Sequence, residues 1–229
     1  MSKSRAAIRG VYAITPDEPR TDVLCKQVAD ALEGGVRLFQ YRNKAATRSL
    51  ARAQAVRLRA ITANAGACLI VNDDIELALE VRADGVHLGR DDRDARVDFS
   101  SIRRCASAST GVDGRFMIGV SCYDKLQLAR AALLAGADYI AFGAFFPSST
   151  KPHAVPAELS LIRRAKEEFT VPVVAIGGIT IENAPQLVAA GVDSIAVISS
   201  MFGASDICAR AREFTLIFPD DDQEQPKII

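Results

Sequence analysis

The sequence predicts a single (β/α)8 barrel of the TIM type, and three observations predict it. Short β-branched apolar runs alternate along the chain with alanine-rich stretches of helical period. A Gly/Asp signature recurs at alternate helix-to-strand passages, in Gly34-Gly35-Val36, Asp84-Gly85-Val86, Gly136-Ala137-Asp138 and Gly191-Val192-Asp193, at intervals of roughly fifty residues. The 229 residues hold eight such units and leave no room for a second domain. A doubly wound open sheet would use the same units in an unequal strand order, and a solenoid would carry stricter side-chain signatures.

The expected strands are Val11 to Thr15, Val36 to Arg42, Ala67 to Asp73, Gly85 to Gly89, Arg115 to Ser121, Tyr139 to Phe146, Val171 to Gly177 and Ser194 to Ser199. The clearest helical patterns are Thr21 to Glu33, Ser49 to Ala63, Asp124 to Leu134, Glu158 to Glu168, Glu182 to Ala190 and Ser205 to Phe214, with a fainter one inside Ser100 to Ser109. The barrel domain is therefore placed at residues 1–218. The acidic, proline-flanked stretch at 219–229 reads as a disordered tail.

Composition narrows the function classes. Lys plus Arg (28) balances Asp plus Glu (28), so no global field exists to hold nucleic acid or an anionic membrane, and any anion site must come from placed residues. The start of the chain has no apolar signal region, and no apolar run reaches the ~18 residues of a membrane span. Five cysteines without a CxxC pair fit free thiols in a reducing compartment, and the expected location is cytoplasmic. A homo-oligomer is left open.

In a barrel of this kind the chemistry lies at the C-terminal ends of the strands. The second strand ends Gln40-Tyr41-Arg42-Asn43-Lys44, and a side-chain period of two puts Val36, Leu38, Gln40, Arg42 and Lys44 on one face that turns cationic at its top. Turned inward, Arg42 and Lys44 call for an anionic ligand; turned outward, they are a solvated loop. The third strand ends Asn72-Asp73-Asp74, and the fourth leads through His87-Leu88-Gly89 to Arg90-Asp91-Asp92. Such carboxylates beside cations and a phosphorylated ligand suit Mg²⁺, whereas two histidines without ligand-like cysteine spacing argue against zinc. Asp74 and Asp91 read as helix starts, and His87, inside an apolar run, as a satisfied core residue.

The fifth strand ends Gly119-Val120-Ser121, and the sixth passes into Phe146-Pro147-Ser148-Ser149-Thr150-Lys151, where hydroxyls and a lysine can grip phosphoryl oxygens. The last two strands end Gly177-Gly178-Ile179 and Ile198-Ser199, the usual place of a backbone phosphate cradle. Two phosphate sites are thus expected, one backbone-based and one cationic with metal.

Seven ordered motifs, Gln40-x-Arg42-x-Lys44, Asn72-Asp73, His87-Leu88-Gly89-x-x-Asp92, Gly119-Val120-Ser121, Phe146-Pro147-x-x-Thr150-Lys151, Gly177-Gly178-Ile179 and Ile198-Ser199, make residues 10–214 resemble the thiamine-phosphate synthase family. The resemblance implies condensation of 4-amino-5-hydroxymethyl-2-methylpyrimidine diphosphate with a thiazole phosphate, giving thiamine phosphate and pyrophosphate with Mg²⁺ as cofactor. By position it implies that Gln40, Arg42, Lys44, Asn72, Ser121 and Lys151 bind the pyrimidine diphosphate. Asp73 and Asp92 would hold Mg²⁺, and Ser148, Thr150, Gly178, Ile198 and Ser199 would contact the thiazole phosphate. Arg42, Lys44 and Lys151 would assist the chemistry, for which no protein nucleophile is needed. Ala144, Ser148 and Tyr123 depart from the family's usual proline, threonine and His or Thr. The related thiazole tautomerase generally lacks the full cation and metal set and uses a histidine near the end of strand five, where Tyr123 stands here. A non-catalytic phosphate sensor on the same fold would need no metal.

Overall fold

The computed structural model describes residues 8–89, 98–110, 116–147 and 157–218. Eight parallel strands, β1 (Gly10–Ile14), β2 (Leu38–Tyr41), β3 (Cys68–Asn72), β4 (Gly85–Leu88), β5 (Met117–Tyr123), β6 (Tyr139–Gly143), β7 (Val173–Ile176) and β8 (Ser194–Val197), close in chain order, with β8 pairing back onto β1. Between them run α1 (Thr21–Glu33), α2 (Arg48–Asn64), α3 (Ile75–Glu80), α4 (Phe99–Thr110), α5 (Leu126–Leu134), α6 (Ser160–Glu168) and α7 (Ala184–Ala189). A short α8 (Ser199–Phe202) and α9 (Ile207–Thr215) follow β8. The closed order excludes the doubly wound sheet. Among the described residues no helix is long and apolar enough to cross a membrane.

The strands read as unbroken apolar runs because both of their faces are buried. One face joins the helices in the larger core, to which Phe39, Leu69, Val71, Val86, Ile118, Val120, Ile140 and Phe142 belong. The other fills the barrel interior with Tyr12, Leu38, Ile70, Met117, Tyr139, Ala141, Val174 and Ala196, above Ile8. The helices contribute stripes such as Leu24, Cys25, Val28, Ala31 and Leu32 of α1, at the i, i+3/i+4 spacing that keeps one face inward. Thr47, Asp74 and Asp206 cap α2, α3 and α9 by accepting from Leu50, Leu77 and Ala209 N–H. Asp74 is thus the helix start the sequence indicates, although the helix it opens, α3, is too short to show a period.

The internal repeat has a physical cause at the bottom of the barrel. Asp84, Asp138 and Asp193 each stand just before an even-numbered strand, and each carboxylate accepts a hydrogen bond from the strand before it. The donors are Leu69 N (2.7 Å), Ile118 N (2.8 Å) and Val173 N (2.7 Å). Each also pairs with a cation on the helix that leads into that earlier strand, Arg59 of α2 (2.9 Å), Arg103 of α4 (2.5 Å) or Lys166 of α6 (2.7 Å). At the matching position before β2 stands Arg37, which donates instead to the carbonyls of Leu32 and Val36. Each aspartate therefore ties a strand pair to the helix that precedes it. Asp138 is the most buried of the three, its side chain 8% exposed. Asp138→Ala should cost about 3 kcal/mol of stability, because the Ile118 N–H and Arg103 lose their acceptor. Urea unfolding checks this, and Asp138→Asn should restore part of the loss through its amide oxygen.

Among the boundaries that differ from expectation, three bear on the site. β2 stops at Tyr41, so the period of two holds for Leu38 and Gln40 but not for Arg42 and Lys44, while Val36 belongs to the outer core. β6 stops at Gly143; beyond it the N–H groups of Phe145 and Phe146 still reach the carbonyls of Ile176 and Gly177, outside the ladder register. β8 stops at Val197, and Ile198-Ser199 is not a strand end but the entry to α8.

Candidate active site

A chain of hydrogen bonds crosses the barrel interior. Gln40 Nε2 donates to Tyr12 Oη (2.9 Å), which lies 2.9 Å from Tyr139 Oη. Tyr139 Oη lies 3.1 Å from His87 Nδ1, and His87 Nε2 lies 2.9 Å from Ser121 Oγ. Five strands, β2, β1, β6, β4 and β5, thus meet through polar tips in a mainly apolar interior. Burial pushes both phenols well above their ordinary range and lowers the His87 imidazole to about 4, so all three are neutral at neutral pH. His87 is the satisfied core residue the sequence indicates, with both ring nitrogens engaged. The Tyr139 ring reaches across because Gly119 faces it; a Cβ there would fall against Cζ and both Cε atoms.

The cations beyond the second strand line a cleft between the ends of β2 and β3 and the helices α2 and α3. This cleft of about 320 Å³ is lined by Arg42, Lys44, Asn72 and Asp73, with Arg48 and Asp74 among the rest. Four predicted site residues from two neighbouring strand ends are therefore brought together. The Arg42 backbone is fixed from both sides by Thr15, whose Oγ1 accepts from Arg42 N and donates to Arg42 O, each at 2.8 Å. Asp17 accepts from the Arg42 guanidinium at 3.2 Å and from Lys44 N at 2.8 Å. This carboxylate, rather than strand alternation, sets how the two cations are presented. The Arg42–Asp17 pair is long and partly exposed, worth at most about 1 kcal/mol, so an incoming phosphate can displace it at little cost.

Asp73 closes β3 in the left-handed region, at φ 61°. Its carboxylate accepts from Gly89 N at 3.1 Å and from Asn72 Nδ2, which holds it at the rim between β3 and β4. Ser121 sits just below a bulge in β5 that shifts the register between Ser121 and Tyr123 and puts Tyr123 at φ 54°.

Across the barrel, Gly177 and Gly178 both adopt positive φ, 94° and 65°. A Cβ on Gly178 would press on the carbonyls of Phe146 and Pro147. The double glycine therefore lets the turn after β7 pass against the loop after β6, a steric need in addition to the anion cradle inferred from sequence. The Asn183 side chain closes that turn, accepting from Thr180 N (2.8 Å) and donating to Gly178 O (2.9 Å). The loop after β6 leaves at Ala144 and returns beside it, Ala157 N donating to Ala144 O at 2.7 Å. Ser148, Thr150 and Lys151, and Asp92 after β4, lie outside the described residues.

Sequence reasoning missed Tyr12, Tyr139 and Asp17. The two tyrosines carried a signal, since a phenol inside an apolar strand needs a buried partner. Asp17 carried none, because its role depends on where the loops after β1 and β2 meet.

Three comparisons bear on this arrangement. The family model described as thiamine monophosphate synthase matches residues 11–201. A thiamine-phosphate synthase of Thiobacillus denitrificans is 46% identical over 218 residues, covering 94% of this chain and 97% of that protein. One from Azoarcus sp. is 48% identical over 211 residues, covering 92% and 98%. The solved thiamine phosphate pyrophosphorylase of Pyrococcus furiosus superposes with a TM-score of 0.76 at 33% identity, covering 94% of this chain and 97% of that one. A match this even, running through the strand ends that carry the polar residues, leaves one conclusion: the chain belongs to the thiamine monophosphate synthase family.

Proposed function

We propose that the protein carries out its family's condensation at this mouth, with the pyrimidine diphosphate over β2, β3 and β5 and the thiazole phosphate over β6, β7 and β8. The observation that carries the reading is the gathering of Arg42, Lys44, Asn72 and Asp73 around one cleft at the ends of β2 and β3, the same strand end that carries Gln40 of the buried chain. Gln40 and Ser121 hold the ring, while Arg42, Lys44, Asn72 and Lys151 hold the diphosphate. Gly178, Ile198 and Ser199, with Ser148 and Thr150, take the thiazole phosphate.

In the step itself the C–O bond to pyrophosphate breaks, its electron pair leaves with the pyrophosphate, and the methylene cation is delocalised into the aminopyrimidine. The thiazole nitrogen then supplies the pair for the new C–N bond. Arg42, Lys44 and Lys151 neutralise the negative charge that grows on the departing group, and the barrel holds the two rings in register. Since no protein group becomes covalently attached, the lack of a free histidine or a nucleophile pair at the described rim is no obstacle.

The residues fit Mg²⁺. Among the described residues no cluster of three or more His, Cys, Asp or Glu could cage a metal, but Asp73 offers one anchored carboxylate beside cations. One or two carboxylates with the remaining positions left to phosphate oxygens and water is the set this ion prefers. Asp73 and Asp92 would hold it, and once bound it would act as a Lewis acid on the diphosphate oxygens. Asp73→Asn keeps a residue that tolerates the left-handed backbone and can still accept from Gly89 N, so it removes the charge at the cost of the hydrogen bond from Asn72. The Mg²⁺ concentration for half-maximal rate should rise roughly tenfold or more in Asp73→Asn and in Asp92→Asn. Superimposable titration curves would remove these residues from the metal site.

None of the five cysteines forms a disulfide, which supports a reducing, cytoplasmic location for an enzyme acting on small molecules. Purified protein incubated with both substrates and Mg²⁺ should form thiamine phosphate, detected by chromatography. Absence of product from folded protein would overturn the proposal.

A further inference from the structure

The buried chain from Gln40 to Ser121 does more than fill the barrel. Hydrogen bonds through hydroxyls have a sense: each O–H has one proton to give, so the direction of one bond fixes the next. Gln40 Nε2 donates to Tyr12, so the Tyr12 proton is free to go to Tyr139. Tyr139 then gives its proton to His87 Nδ1, and the neutral imidazole carries its remaining proton on Nε2, toward Ser121 Oγ. Ser121 receives, and its own proton is left for the mouth. At the other end, the Gln40 amide has spent an N–H inward and turns its carbonyl oxygen the other way. The two ends therefore offer opposite polarity, an acceptor on Gln40 and a donor on Ser121.

We propose that Tyr12, Tyr139 and His87 are positioning residues for ring recognition, a relay that locks Gln40 as acceptor and Ser121 as donor and so selects an aminopyrimidine over its 4-oxo counterpart. The inference rests on the reading that Gln40 and Ser121 face the pyrimidine. An aminopyrimidine brings an N–H donor on its exocyclic nitrogen and an acceptor on its ring nitrogen; the 4-oxo ring brings a C=O and a ring N–H, the reversed set. Accepting it requires turning the Gln40 amide and reversing every bond of the relay, because a partial reversal strands a buried hydroxyl. Without the relay, each end turns independently. Packing supports the coupling: the Tyr12 and Tyr139 rings meet edge to face at 6.2 Å, and both side chains are fully buried.

The test uses the full chain as wild type, Tyr12→Phe and Tyr139→Phe, which delete only a hydroxyl. The probes are the 4-amino-2-methylpyrimidin-5-ylmethyl monophosphate and its 4-oxo counterpart, neither of which carries the pyrophosphate leaving group. Each is measured as a competitor of the pyrimidine diphosphate during thiamine phosphate formation. The wild type should favour the amino probe by on the order of a hundredfold or more. Both variants should lower that preference by about tenfold or more. Equal weakening of both probes would make the tyrosines merely structural and overturn the relay. So would a wild type that binds both probes alike, since the chain would then reverse freely. If Tyr139→Phe does not fold, Tyr12→Phe decides, because it leaves the Tyr139–His87 bond in place. Failure of both probes to compete in an enzyme that still makes thiamine phosphate would overturn the assignment of Gln40 and Ser121 to the ring, and the relay with it.

Discussion

Gly119→Ala should destabilise the protein by about 3 kcal/mol or more, although it adds one methyl group. The position lies in the middle of β5, where alanine is normally tolerated, and its backbone needs no special φ. What forbids the methyl is the neighbour: it would stand inside the Tyr139 ring. That ring cannot retreat, because its hydroxyl is held by Tyr12 and His87 and its surroundings are packed with no exposure. Either β5 moves outward against the helices or the ring tilts and the hydrogen-bond chain breaks. For a protein of this size the loss corresponds to roughly 6–12 °C in melting temperature. Thermal melting of the variant measures it. Tyr139→Phe in the Gly119→Ala background should give no relief, because the ring and not its hydroxyl is the obstacle, whereas Tyr139→Leu should recover part of the loss. A melting temperature within two or three degrees of wild type would mean that the interior has slack which the packing does not reveal.

The same residue shows where sequence reading reaches its limit. All eight strands were legible, because residues such as Val86, Ile118 and Ile140 are buried and the chain must spell them as apolar runs. The helix start at Asp74 was legible as a cap, whereas the cap that Asp206 makes on α9 was not singled out. The Gly/Asp repeat was legible as a pattern but not as a cause, since the bond from Leu69 N to Asp84 joins residues that only the closed barrel brings together. Gly119 was read as part of a binding motif, and its function as a notch for Tyr139 depends on the register that sets it beside Tyr139. Arg42 and Lys44 were correctly placed at a strand end, yet their presentation is governed by Asp17 from another loop. Local chemistry is written in the sequence position by position; contacts between strand ends depend on register and closure, which composition and period do not encode.

Lys151→Ala should lower kcat by on the order of a hundredfold or more, as the loss of one preorganised charge in a site that stabilises a leaving anion. The residue follows Ser148 and Thr150 in the loop after β6, with no acidic residue between Asp138 and Glu158 to claim it as an ion-pair partner along the chain. The loop's two ends are held together by the Ala157–Ala144 bond, and its start rests on the glycine turn after β7. A cation in such a loop serves a reaction whose charge grows at one place: pyrophosphate carries more negative charge when it departs than when it is bound as an ester. An ammonium near those oxygens binds the transition state more strongly than the ground state, so its removal lowers kcat and not only the affinity for the pyrimidine diphosphate. Arg42 and Lys44 remain in the variant, and on the proposed reading they still hold the substrate. Lys151→Arg should restore only part of the rate, because a planar guanidinium does not replace a compact point charge. Single-turnover rates at saturating substrates and Mg²⁺ separate the two effects. A wild-type single-turnover rate in Lys151→Ala, with only the KM for the pyrimidine diphosphate raised, would reduce the lysine to ground-state binding and leave the departing charge to Arg42, Lys44 and the metal.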